Sequence, residues 1–149
     1  MASFDPQAFL DSSVTESNDT VVIPCPIGEY TGIVDKLLPR TWQSKDGTQS
    51  GVAIDVLWLI EDNDVKAFLG RDTVIVKQGI MLDTLSSGAL DMSKGKNVPL
   101  GRLREALEMN SPGQPFAFSM IPGRAGKVSV THRLANEDTF AEIRSVAKL

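Results

Sequence analysis

One short helical segment set among strands restricts this chain more than any other feature of it. Residues Lys94 to Phe118 read KGKNVPLGRLREALEMNSPGQPFAF. Pro99 stands near the start, Leu100, Leu103 and Leu107 follow helical spacing, and Asn110-Ser111-Pro112-Gly113 supplies a stop. The pattern predicts a helix that buries one face and ends abruptly. A β-barrel carrying one inserted helix is a far narrower class than a generic sandwich. Lys94-Gly95-Lys96 forms a basic loop at the helix entrance, where backbone N–H groups and lysines can both meet an anion.

The segments on either side read as strands. Gly28 to Leu37 alternates as a first strand, and Lys45-Asp46-Gly47 with Ser50-Gly51 marks a long hairpin loop, taken as Pro39 to Gly51. Val52 to Ile60 resumes strand character, Val65 to Gly70 reads as a connector, and Thr73 to Leu82 is a third, β-branched strand. Beyond the helix, Pro115 to Ile121 and Lys127 to His132 read as a fourth and fifth strand joined through Pro122 to Gly126. Thr139 to Ala147 suits a terminal strand, although Phe140, Ile143 and Val146 also satisfy helical spacing. Three strands, a helix and two strands is the order of a five-stranded Greek-key barrel of the OB type, with its helix between strands three and four. The predicted fold is therefore mainly β: an OB-type barrel over residues 21–149, preceded by an acidic arm over residues 1–20.

At 149 residues the chain suits a single domain with a self-sufficient core. No apolar run reaches the roughly 18 residues that a bilayer demands, and MASFDPQAFLDSS lacks the order of a secretory leader, so a soluble intracellular protein is expected. The single Cys25, between Pro24 and Pro26, rules out an intrachain disulfide and a thiolate zinc site, and is expected to be a buried, inert thiol. The net charge of −4 belongs to the arm. Residues 1–20 hold Asp5, Asp11, Glu16 and Asp19 and no lysine or arginine, leaving the remainder balanced at fifteen acidic and fifteen basic groups. A balanced domain can still present a basic groove if its acids gather elsewhere.

OB barrels bind oligonucleotides across strands two and three and through the loops joining strands one to two and four to five. In the first of these loops Trp42 stands between Arg40 and Lys45, an aromatic for stacking a base and two cations for phosphates. The alternative is an indole packed beneath its own loop. Trp58, within an apolar strand, is expected in the core. Arg124 and Lys127 supply the second basic loop, and Lys77 reaches in from the third strand. Gly126-Lys127 is followed by Val128, so no Walker A loop is present. His132, the only histidine, reads as a satisfied side chain rather than a catalytic one. Asp83 with Asp91, or Asp55 with Glu61 and Asp62, offers acids for a magnesium site, but acids at turns and strand ends are ordinarily solvated caps. No nucleophile signature is present, so neither an enzyme nor a cofactor or metal is expected.

The stretch Asp91 to Leu107, DMSKGKNVPLGRLREAL, with Gly28-Glu29-Tyr30 upstream, resembles the small single-stranded DNA-binding proteins of tailed bacteriophages. The resemblance extends in element order over about residues 20–149 and implies an OB domain that coats displaced strands in the host cytoplasm, with little sequence preference, during replication or recombination. It implies single-stranded DNA as partner, with replication or recombination proteins and further copies of the chain as additional ones. The contacts it would use are Arg40, Trp42, Lys45, Lys77, Lys94, Lys96, Arg124 and Lys127. One departure stands out: the acidic segment lies at the N-terminus, whereas the chain ends Val146-Ala147-Lys148-Leu149. The competing reading is a structural β-barrel of a phage particle, using Phe4, Phe9 and Leu10 of the arm to hold a neighbour.

Overall fold

A computed structural model describes residues 3–149 and is a closed five-stranded barrel. Its strands are β1 (Gly28–Gln43), β2 (Ser50–Ile60), β3 (Ile75–Leu82), β4 (Ala125–Ala135) and β5 (Asp138–Ala147). They close in the order β1-β2-β3-β5-β4, with every pairing antiparallel except β3 with β5. Helix α1 (Pro6–Asp11) lies in the arm, α2 (Asn63–Leu69) joins β2 to β3, and α3 (Val98–Ala106) lies between β3 and β4.

β1 closes the barrel because it is long enough to serve two neighbours. Its first six residues, Gly28 to Ile33, pair with β4, and Gly32 onward pairs with β2. Between Val34 and Lys36 the register slips, leaving Asp35 as a bulge. Val34 points inward against Trp58; after the extra residue the inward set becomes Leu37, opposite Val56, and the outward set becomes Lys36, Leu38, Arg40 and Trp42.

The core is built around Trp58, which is completely buried, as expected from its strand. Its Nε1–H donates to Gln78 Oε1 at 2.9 Å, satisfying the one polar atom that the indole brings inside. Val34, Val56, Ile60, Val76, Val128 and Ile143 pack around it. Gly32 makes room for the ring: a Cβ there would stand 2.9 Å from Trp58 Cε3 and 3.1 Å from Val128 Cγ1. Leu100, Leu103 and Leu107 join the same core, so the helix meets the barrel with the face that its spacing predicts.

The helix stops earlier than Asn110-Ser111-Pro112-Gly113 suggests. Glu108 adopts φ +59°, Glu108 N–H donates to the Glu105 carbonyl and Met109 N–H to the Arg104 carbonyl, which together form a Schellman ending. At the other end Asn97, buried and left-handed, locks the preceding loop. Its side-chain oxygen accepts from Asp83 N–H at 2.7 Å, its backbone N–H donates to Asp83 Oδ2 at 2.8 Å, and Nδ2 donates to the carbonyls of Asp83 and Asp91, each at 2.9 Å.

Three sequence expectations need correction. Pro115 to Ile121 is not a strand: it runs as a loop into a 3₁₀ turn at Phe118–Met120. Strand β1 takes β4 directly as its neighbour, so no sheet edge is left for this segment, and Phe116 packs instead beneath Arg104, whose guanidinium lies 4.2 Å from the ring centroid. The fourth and fifth strands are therefore Ala125–Ala135 and Asp138–Ala147, and the turn between them is Asn136-Glu137, both at positive φ. Pro122 to Gly126 leads into β4 rather than linking strands four and five. Finally, Val65 to Gly70 is largely helical, with Asp62 Oδ1 accepting from Val65 N–H at 2.9 Å as a cap.

Candidate functional site

The bulge at Asp35 creates the most distinctive surface of the molecule, the outer face of β1, β2 and β3. Register places Lys36 beside Leu57 and Lys77, Leu38 beside Asp55 and Gly79, and Arg40 beside Ala53 and Met81. Trp42 stands beside Gly51. Three cations and one carboxylate thus share a face with Leu38 and Met81, which are 45% and 51% exposed.

Two side chains on this face are positioned by what lies beneath them. The indole of Trp42 covers Gly51 so closely that a Cβ at Gly51 would be 2.7 Å from Nε1 and 2.9 Å from Cε2. Trp42 remains part-exposed, while its Nε1–H is covered and has no hydrogen-bond partner among the described residues. The ring packs on the glycine with no hydrogen bond from its Nε1–H to hold it. Arg40 is held differently. Its Nε–H donates to both oxygens of Asp55, at 3.2 and 3.0 Å, and the carboxylate is almost entirely buried whereas the guanidinium is not. Gly79 leaves the space above Asp55 free: its Cβ would lie 3.6 Å from Asp55 Oδ1 and 3.9 Å from Arg40 Nη2.

The remaining predicted contacts divide into three groups. Lys45 lies in the tight loop between β1 and β2, ordered by Asp46, which accepts from the hydroxyls of Ser44 (2.6 Å) and Thr48 (2.7 Å) and from Thr48 N–H (3.0 Å). These hydrogen bonds, the one from Ser44 foremost, hold the Asp46 carboxyl down at about 2. Lys94 and Lys96 lie in the loop that leaves β3 after Leu82, at the end of the sheet where Val52 and Gly51 stand. Arg124 and Lys127 fall outside this cluster. Arg124 meets β1 at Val34, and Lys127 pairs with Glu29 at 3.1 Å on the ribbon formed by β1 and β4.

So Arg40, Trp42 and Lys77 share one face, and Lys45 and the Lys94–Lys96 loop lie at its Trp42 end. Arg40 and Trp42 are strand residues, since β1 continues through Pro39 to Gln43 and the loop shortens to Ser44 to Gln49. Sequence reasoning missed Lys36, Leu38, Gly51, Gly79 and Met81. The strand alternation of Lys77, Gly79 and Met81 carried a signal for the β3 members, while the bulge concealed those of β1.

The carboxylates that the sequence offers for magnesium have other engagements: Asp55 holds Arg40, Asp62 caps α2, Glu61 pairs with Lys66, Asp83 accepts from Asn97 N–H, and Asp91 accepts from Ser93. No group of three or more histidine, cysteine, aspartate or glutamate side chains suited to a metal occurs among the described residues. Cys25 is buried, and burial, with Asp62 nearby, pushes its thiol up to about 11. His132 Nε2 lies 2.7 Å from the Cys25 carbonyl oxygen, tying the segment ahead of β1 to β4. No helix among the described residues is long and apolar enough to cross a membrane. No protein-family model matches the chain, and no curated protein matches it.

Proposed function

We propose that the protein binds single-stranded DNA on the outer face of β1, β2 and β3 and acts without catalysing a reaction. The observation that carries this reading is the juxtaposition of a part-exposed indole on Gly51 with Lys36, Arg40 and Lys77 along one barrel face. An aromatic platform in a cationic groove is how sequence-tolerant strand binders divide the work: bases stack, at about 1–3 kcal/mol each, and cations follow the phosphates. The loop carrying Lys45 and the one carrying Lys94 and Lys96 extend the path beyond Trp42. Coating of displaced strands during phage replication or recombination, in the host cytoplasm, is the setting that fits such chemistry and the resemblance of Asp91 to Leu107.

Fluorescence titration with an oligothymidine tests the proposal. Binding should weaken steeply as salt rises, because cations on the face release counterions from the strand. Trp42→Ala should cost about fivefold to a hundredfold in affinity, the equivalent of one lost stack. Absence of binding at low salt, or an unaltered affinity in Trp42→Ala, refutes the reading.

A structural role in a phage particle is favoured by a different observation. Residues 3–19 are exposed throughout, and Phe4 and Phe9 form a tilted pair with ring centroids 5.4 Å apart, both largely exposed. An arm of this kind suits burial on a neighbour. Fractionation of particles followed by mass spectrometry distinguishes that role.

A further inference from the structure

Resting on the nucleic-acid reading above, we propose that Arg40, clamped by Asp55, is a base-reading site that gives the face a preference for guanine or cytosine at one position. A guanidinium has five N–H donors arranged as a rigid fork. Here only Nε–H is used within the protein, and both of its contacts go to one buried carboxylate. The two terminal NH₂ groups have no partner among the described residues, and the side chain is 44% exposed. The end of the fork is therefore fixed in direction and free to donate.

Its surroundings favour a flat ligand. Gly79 puts no side chain beside Nη2, and a Cβ there would already come within 3.9 Å of it. Ala53, level with Arg40 in the sheet, is fully buried and adds no bulk. Trp42 projects from the same face two residues along β1, ~7 Å away at strand spacing. That distance suits a base stacked on the indole with its neighbour edge-on to the guanidinium. A free fork also meets phosphates, but a phosphate needs only the exposed charge that Lys36 and Lys77 already provide. A clamp under one arginine, with glycine beside it, adds direction, which is of use only where the ligand has an edge to read.

Two parallel donors select bases with two adjacent acceptors. Guanine offers O6 and N7. Cytosine, unpaired in a single strand, offers O2 and N3. Adenine sets a donor beside N7, and thymine has N3–H between its two carbonyls, so neither accepts both bonds. A fork contact of this type is worth about tenfold in discrimination.

The experiment is a fluorescence titration of the full chain at fixed salt with a thymidine tract carrying one central dG, dC or dA, beside the plain tract. Expected are affinities about tenfold tighter for the dG and dC tracts than for the dA and plain tracts. The dA tract matters because a purine stacks better than thymine: a gain shared by dG and dA reports stacking on Trp42 and overturns the proposal. Arg40→Lys should abolish the preference and bring the four tracts to a common affinity. Gly79→Leu, which leaves the arginine in place and puts a side chain beside its fork, should do the same, and thermal melts establish that both variants fold. If Arg40→Lys weakens all four tracts equally and lowers the salt slope by about one, Arg40 is a phosphate contact and the proposal falls while strand binding stands. If no tract binds, the functional reading fails with it.

Discussion

Gly32 and Gly51 both lie under a tryptophan, and substituting alanine at each should give opposite outcomes. A Cβ at Gly51 would be 2.7 Å from Trp42 Nε1, and a Cβ at Gly32 would be 2.9 Å from Trp58 Cε3. Either ring has to retreat by about 0.6–0.8 Å to regain ordinary contact. Trp42 can do so, because it is part-exposed and sits near the end of β1. Lifting it costs about 1 kcal/mol of packing. The same movement admits water to the covered Nε1–H, returning about 1 kcal/mol, and alanine restricts the unfolded chain by a further ~0.5 kcal/mol. The net change for Gly51→Ala is a gain of about 0.5 kcal/mol. Trp58 has no such exit. It is completely buried, hydrogen-bonded to Gln78, and Val128 Cγ1 and Cγ2 stand 3.1 and 3.2 Å from the same added carbon. Gly32→Ala should therefore cost about 2–3 kcal/mol. Urea denaturation gives both differences from the midpoints at constant slope. Iodide quenching of tryptophan emission should rise in Gly51→Ala, as the Trp42 ring lifts, and stay unchanged in Gly32→Ala. Equal losses of stability in the two variants, or unaltered quenching in Gly51→Ala, would refute the reasoning, since both outcomes mean that Trp42 is locked as firmly as Trp58.

Other consequences follow from single positions. Glu108 holds the left-handed place where a Schellman ending takes glycine, so Glu108→Gly should raise stability by about 0.5–1 kcal/mol in the same urea assay, despite the loss of its contact with Lys148. The Asp46 carboxyl, held at about 2 against an ordinary 3.8, supports the loop above the unfolded value, and its contribution is lost as the pH falls through about 2. An NMR titration should place its midpoint there, and Asp46→Ala should loosen the amides from Ser44 to Gln49. The Cys25 thiol, pushed up to about 11, stays protonated in the folded chain well past the pH at which an unfolded thiol ionises. Iodoacetamide at pH 8 should therefore modify it only as fast as the chain unfolds; brisk alkylation of the native protein contradicts that burial. Because the folded value is the higher one, its influence on stability is intact below about 9 and declines as the pH rises through about 11.

The barrel was legible because its signals were local and agreed with one another. Leucines at helical spacing identified α3, β-branched runs marked β2 and β3, and the acidic arm separated itself by charge. The errors arose where a long-range fact decided. Pro115 to Ile121 has the alternation of a strand, but alternation cannot reveal that the only available sheet edge is already taken by Ala125 to Val130. Trp42 was recognisable as a candidate for stacking from its flanking cations. Its companions were not, since one extra residue at Asp35 inverts the facing of every side chain after it, and local sequence does not mark which residue bulges. Arg40 and Asp55 are 15 residues apart on neighbouring strands, and only the register brings them together.

The double duty of β1 also sets an order of events in assembly. Its pairing with β2 closes through a short loop, and β3 follows through a brief helical link, so the meander carrying Trp42, Arg40 and Lys77 is built from neighbours in the chain. Joining Gly28 to Val130 requires a return across roughly a hundred residues, and β3 meets β5 through the single register pair of Lys77 with Glu142. Loop-closure entropy makes those distant contacts the late and slow ones. In hydrogen exchange the amides between β1 and β2 should outlast those at the β3–β5 seam, so that the barrel opens there first while the surface bearing Trp42 keeps its shape.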